Sequence, residues 1–190
     1  MKIILATNNA NKLREFSEIL SPMGIEVLSQ KEAGADIEAD ETGSTFEENA
    51  YIKAKAVYDL LRLPVVADDS GLEVDALNGE PGVYSARYAE PGHRCAKVLD
   101  KMRDVPDDRR TARFVCCICY IDEKGEPHTV RGECEGRIGY EKRGENGFGY
   151  DPIFYVDGRS FAELSADEKN AISHRGRALE KFTAMIGEMK

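Results

Sequence analysis

The residue pattern predicts an α/β protein whose mixed β-sheet is flanked by helices. Two short apolar runs, Lys2–Ala6 and Pro64–Ala67, read as buried strands, and between them apolar residues recur at helical spacing. Further along, Thr111–Asp122 and Thr129–Gly136 read as two consecutive strands joined by the turn Glu123-Lys124-Gly125-Glu126. Strands that first alternate with helices and then follow one another imply a sheet with both parallel and meander parts.

The chain opens on the strand Lys2–Ala6. The polar loop Thr7-Asn8-Asn9-Ala10-Asn11-Lys12 leads into a helix marked by Leu13, Phe16, Ile19 and Leu20 and closed by Pro22 and Gly24. Backbone N–H groups and a lysine at a helix start suit a phosphate. The loop lacks the glycines and the Gly-Lys-Ser/Thr ending of a Walker A loop, and capping of the helix by Thr7 or Asn11 is the competing reading. Glu26–Ser29 reads as a second strand, followed by the acidic stretch Asp36–Glu41. Two overlapping capping boxes, Ser44-x-x-Glu47 and Thr45-x-x-Glu48, then start a helix with the stripe Phe46, Ala50, Ala54, Val57 and Leu61. Lys53 lies off that stripe, either solvated or reaching over a neighbouring cleft.

The strand Pro64–Ala67 runs into Asp68 and Asp69, followed by Ser70 and Gly71. Adjacent acids at the end of a buried strand cost desolvation and mutual repulsion. A divalent cation would offset both, and Glu41 is a candidate further ligand. A solvated Asp-Asp-Ser-Gly turn explains the same residues. Turn signals at Asn78-Gly79 and Pro81-Gly82 and the segment Ser85–Tyr88 continue a polar stretch of little periodicity, the kind that more often carries function than packing. Cys95, Val98, Leu99 and Met102 mark a short amphipathic helix, and Val105–Asp108 reads as a connector.

Beyond the meander, which reads as scaffold, Gly144–Pro152 brackets Phe148 and Tyr150 with three glycines ahead of a strand at Ile153–Val156. Glycines permit close backbone approach, and exposed aromatics can stack on a base. A glycine-rich turn whose aromatics fold into the core is the alternative. Ser165-x-x-Glu168 is another capping box, and Ser173 is the expected N-cap of a last helix with the stripe Ala178, Leu179, Phe182, Met185, Ile186 and Met189. His174 and Arg175 in its first turn oppose the helix dipole, which an anionic or polar ligand nearby would explain.

Composition narrows the function classes. A chain of 190 residues, 42% hydrophobic and 32% charged, suits one globular domain. Its net charge of −9 argues against a nucleic-acid polymer or an anionic membrane as partner, but not against a small anionic ligand. The first apolar run is too short for a signal segment, and no run has the length of a membrane span. Five cysteines is an odd number, three of them at Cys116, Cys117 and Cys119, and no pair has zinc-site spacing. Reduced, buried thiols of a cytoplasmic protein are expected. A phosphate-suited loop, an acid pair, bracketed aromatics and a basic helix start are the parts that a nucleoside triphosphate with a divalent metal requires. No serine or cysteine has a neighbouring base that marks a nucleophile, so attack by water is expected over covalent catalysis.

The segments ATNNANKLREF, ETGSTFEENAYIKA, ADDSGLEVDAL with PGVYSARYA, GFGYDPIF and EKNAISHRGRAL span nearly the whole chain. In this order they resemble the pyrophosphatases of non-standard purine nucleoside triphosphates, the inosine triphosphatase (Ham1-like) family. The resemblance implies a single domain, residues 1–190, with an elongated sheet and two lobes enclosing an active-site cleft. It also implies a cytoplasmic homodimer that hydrolyses ITP, dITP and XTP to the monophosphate and pyrophosphate with Mg2+, cleansing the nucleotide pool. By resemblance Thr7, Asn8, Asn9, Ala10, Asn11 and Lys12 hold phosphates, although Asn8 stands where many relatives carry glycine. Asp69 matches the general base and a metal ligand, with Glu41 a further magnesium ligand; the resemblance leaves open whether Asp68 or Asp69 touches the metal. Ser70, Phe148, Gly149, Tyr150, Asp151, Lys169, His174 and Arg175 match substrate-contacting positions.

The expected mechanism is in-line attack of water on the α-phosphorus with pyrophosphate leaving. Lys12, Lys53 and Lys169 would neutralise charge on the phosphates, and His174 and Arg175 would donate to a 6-oxo group. Adenine, with an amino group there, leaves those donors unpaired. A pyrophosphatase of modified pyrimidine nucleotides and a silent nucleotide-binding regulator are the alternatives.

Overall fold

The computed structural model describes residues 2–189. Its elements in chain order are β1 (Lys2–Leu5), α1 (Ala10–Leu20), β2 (Glu26–Ser29), α2 (Phe46–Leu61), β3 (Val65–Val74), α3 (Arg94–Lys101), β4 (Thr111–Ile121), β5 (Pro127–Ile138), β6 (Phe154–Val156), β7 (Arg159–Ser160), α4 (Ala166–Ile172) and α5 (His174–Glu188). Among these residues seven strands form one sheet in the order β2-β1-β3-β4-β5-β6-β7. β1 is parallel to β2 and β3, with Leu5 opposite Ser29 and Val66. β6 is antiparallel to β5 and β7. The sheet is mixed, as the pattern predicts: parallel where helices intervene, antiparallel where strands follow directly.

By compactness the chain divides into two units, Met1–Asp69 with Cys116–Gly132 and Gly176–Lys190, and Ser70–Val115 with Glu133–Arg175. The divisions fall inside β3, β4, β5 and α5. In the first unit the strands are covered on both faces. Ile3, Leu5, Val66, Cys116 and Ile118 pack with Phe16 and Leu20 of α1 and with Ala178, Leu179 and Phe182 of α5. The intervening residues Ile4, Ala6, Val65, Ala67 and Cys119 pack instead with Ala50, Ala54 and Val57 of α2. Burial on both faces is why β1 reads as a continuous apolar run rather than an alternating one. The second unit is organised around Leu72, Val74, Phe114, Ile153, Phe154 and Phe161. There the Phe114 ring lies 4.5 Å from Phe154 and 5.6 Å from Phe161.

Local signals act as their chemistry dictates. Thr45 and Ser165 head α2 and α4 with complete capping boxes to Glu48 and Glu168, and Gly24 closes the turn after α1 in the left-handed region, φ +74°. One expectation is corrected. The strand does not end at Ala67, because β3 continues through Asp68, Asp69, Ser70 and Gly71 to Val74. The acids therefore belong to a buried strand, and the solvated-turn reading falls. All five cysteines are reduced and buried. Among the described residues no helix is long and apolar enough to cross a membrane.

Candidate active site

In the first unit the loop after β1 is locked by its own side chains. Thr7 Oγ1 accepts the Asn9 N–H at 3.1 Å. Asn9 is the N-cap of α1, its Oδ1 accepting the N–H groups of Asn11 and Lys12 at 2.9 and 3.2 Å. The cap is thus neither Thr7 nor Asn11, and Ala10 is the first helical residue. Asn8 is exposed, and its Nδ2 donates to the Ile37 carbonyl at 3.4 Å.

Lys12 points from α1 to Asp68, its Nζ 3.1 Å from Oδ1. Lys53 points from α2 to two carboxylates, 3.1 Å from Glu41 Oε2 and 3.3 Å from Asp69 Oδ1. Successive side chains of a strand leave on opposite faces. Asp68 accordingly shares the face of Val66, towards α1, where the Cys116 thiol donates to its Oδ2 at 3.8 Å. Asp69 shares the face of Val65 and Ala67, towards α2. Adjacent in sequence, the two acids serve different lysines.

Both are deeply buried, Asp68 1% and Asp69 5% exposed. Burial lifts the Asp69 carboxyl to about 6, the nearby Glu41 and Asp68 charges adding to the rise while Lys53 and Lys12 oppose it. For Lys53, burial alone would lower its pKa, but the attraction of Asp69, Asp68 and Glu41 outweighs it and the net shift is upward. Asp69 Oδ2 is buried with no hydrogen-bond partner, so it is a hard oxygen donor with spare capacity. Among the described residues no three acidic, histidine or cysteine side chains form a ready cage for a metal. Magnesium does not need one, since one or two carboxylates plus substrate phosphates suffice. Glu41 and Asp69 are chemically suited to it.

The second unit carries the other predicted residues. Lys169, on α4 and 5% exposed, is 2.7 Å from Asp151 Oδ2, and the same oxygen accepts the Phe148 N–H at 2.9 Å. Lys169 Nζ lies 4.8 Å and the Arg175 guanidinium 5.9 Å from the centre of the Phe148 ring. Arg175 donates to Ser70 Oγ at 2.9 Å. The His174 ring stacks on Phe114 at 4.6 Å. His174 and Arg175 open α5 as expected, and both are buried.

The two readings of the bracketed aromatics divide between the two rings. Phe148 is half-buried, whereas Tyr150 belongs to the core and its hydroxyl donates to the Ser85 carbonyl at 2.7 Å. Gly149 between them is exposed, its carbonyl accepting from the Cys95 thiol. Gly147 has no room for a side chain: a Cβ there would lie 2.1 Å from Asp151 Oδ2.

Two buried residues beside these groups carry little signal in the sequence. Cys116 was visible only as a strand thiol. Asn49, fully buried on α2, holds the Gly43 N–H at 2.8 Å through Oδ1. An asparagine three residues after Phe46, beside the apolar stripe, was its signal.

The Ham1 family model matches residues 3–185. The dITP/XTP pyrophosphatase of Exiguobacterium sibiricum is 50% identical to this chain, covering 98% of it and 97% of the relative. That of Bacillus cereus is 51% identical, covering 98% and 95%. Among solved structures, the Staphylococcus aureus Ham1 protein superposes with a TM-score of 0.88 at 42% identity over the whole of both chains. A HAM1 protein from Coxiella burnetii gives 0.86 at 47% identity over 99% of each.

Proposed function

The chain belongs to the Ham1 family, and on that premise we propose that it hydrolyses dITP, XTP and ITP to the monophosphate and pyrophosphate. The observation that carries the reading is the Asp69–Lys53–Glu41 group. A carboxyl lifted to about 6 is ionised at neutral pH yet still basic enough to take a proton from water. Its neighbour Asp68 has both oxygens engaged, by Lys12 and Cys116, whereas Asp69 keeps Oδ2 for water or a cation. Asp69 is therefore the general base, and Asp68 holds Lys12 in place.

Glu41 and Asp69 would hold magnesium, which when bound neutralises triphosphate charge as a Lewis acid. Lys12 and Lys53 meet the anionic phosphates, exchanging part of their carboxylate contacts for them. The Asn9-capped start of α1 presents further N–H groups and a favourable dipole. In the second unit Phe148, with cations beside its ring, offers the face for a purine. His174 and Arg175 donate to a 6-oxo group, and Ser70 and Asp151 orient Arg175 and Lys169. Donors committed to an oxygen acceptor disfavour adenine. The reduced thiols accord with work on the free nucleotide pool in the cytoplasm, and the assembly proposed is a homodimer.

The test is a panel of ITP, XTP, GTP, ATP and dUTP, assayed with magnesium and with EDTA, reading pyrophosphate and orthophosphate separately. Pyrophosphate from ITP and XTP, with little from ATP or GTP and none in EDTA, is expected. Orthophosphate as the product would move the attack to the terminal phosphorus, and preferred turnover of dUTP would replace the purine reading.

A further inference from the structure

Glu41 belongs to a stretch, residues 36–45, that has no regular secondary structure before α2 begins. A carboxylate on such a segment reaches Lys53 only if something holds the backbone nearby. At the helix start Glu48 Oε2 accepts the Ser44 and Thr45 N–H groups at 2.6 and 3.3 Å. Nearer to Glu41, two residues along from it, the Gly43 N–H donates to Asn49 Oδ1 at 2.8 Å. The contact is close-fitting, because a Cβ on Gly43 would lie 2.7 Å from that same oxygen and 2.7 Å from Glu48 Cβ. Asn49 is completely buried on α2, one turn before Lys53. Its Nδ2 is buried with no hydrogen-bond partner. A buried donor left unmatched is a burden on the fold, so packing alone would favour an apolar residue here. What asparagine supplies that leucine does not is the acceptor for Gly43.

We infer that Asn49 is a positioning residue: through the Gly43 N–H it fixes the segment carrying Glu41, so that one helix, α2, sets both Lys53 and the carboxylate facing it. The inference rests on the reading of Glu41 as a metal ligand, and deepens it by naming what aims that ligand. Residues that orient a metal ligand commonly change metal affinity about 10–100-fold when removed.

The test is a double-mutant cycle with Asn49→Ala and Glu41→Ala. It is read as Mn2+ binding to the free protein, by loss of the aqueous Mn2+ resonance, and as the magnesium concentration that half-activates ITP hydrolysis. Asn49→Ala should weaken both by about tenfold or more. Made in the Glu41→Ala background it should add nothing, because the ligand it aims is gone. Gly43→Ala, which attacks the same hydrogen bond from the loop side, should reproduce the effect and guards against a fold lost through Asn49 alone. Equal losses from Asn49→Ala in both backgrounds would overturn the positioning role in favour of a general packing role, as would unchanged affinity in both Asn49→Ala and Gly43→Ala. If Glu41→Ala itself leaves metal affinity unchanged, the reading of Glu41 as a ligand fails first and the inference with it.

Discussion

At Asp69, a strand carboxylate becomes a chemical group only through what surrounds it. Burial raises its pKa to about 6, and Lys53 holds it there against a further rise. A base of this kind must be ionised to work, so at limiting magnesium kcat/KM should fall on the acid side of about pH 6, roughly tenfold for each further pH unit. Saturating magnesium, by favouring the ionised form, should move that limb to lower pH. A profile at limiting magnesium that stays flat down to pH 5 would remove Asp69 as the base. Asp69→Asn should keep nucleotide binding, measured by calorimetry, while turnover drops about 10²–10⁴-fold. Lys53→Met removes the nearest positive charge, so the acid limb should move to higher pH. The stability effect has the opposite sense to that of a salt-bridged surface acid. With the folded pKa above the unfolded value of 3.8, the contribution of Asp69 favours the fold fully below that value and is lost as pH rises through about 6. Ionised near neutral pH, Asp69 no longer contributes that stability.

At the scale of elements, the second unit shows how a loop can be made rigid without regular structure. The Gly144–Tyr150 turn is tied by Asp151, whose Oδ2 accepts from both Phe148 and Lys169. Gly147, at φ +69°, has Asp151 Oδ2 where a Cβ would go, while Gly149, at φ +62°, opens to empty space. The two glycines thus separate backbone strain from steric clash. Gly149→Ala should lower stability by about 1 kcal/mol through strain alone. Gly147→Ala should cost about 1–3 kcal/mol, read as a shift in the urea midpoint. It should also raise KM, because it displaces the partner of Lys169. Equal losses at the two positions would mean that the Asp151 contact contributes nothing. Helix starts are the elements most legible beforehand. Thr45-x-x-Glu48 and Ser165-x-x-Glu168 bring two hydrogen-bond partners together within four residues, so sequence alone specifies them.

At the scale of the molecule, all five thiols are reduced and buried. Native protein should react with Ellman's reagent at fewer than one equivalent over minutes, and urea should release five. Rapid labelling of the native chain would contradict their burial. The outline of this protein, helices over a sheet parallel at one end and antiparallel at the other, was readable from residue periodicity. So were the capping boxes of α2 and α4 and the basic start of α5, because these depend on neighbours a few positions away. The extent of β3 was not, since its continuation through Asp68-Asp69-Ser70-Gly71 depends on strands distant in the chain. Nor was the fate of Tyr150, which the Ser85 carbonyl and the surrounding core draw inward. Arg110 gave no warning either: buried, its guanidinium binds four carbonyls, those of Met102, Val105, Ile138 and Gly139. Sequence by itself determined the inventory, three acids (Glu41, Asp68 and Asp69), three lysines (Lys12, Lys53 and Lys169), two aromatics among glycines and a basic helix start, because residue type and local spacing are one-dimensional properties. Only the tertiary structure decided that Asp68 answers to Lys12 and Asp69 to Lys53. Strand alternation sends the neighbours to opposite faces, and each face is covered by a helix from a different part of the chain.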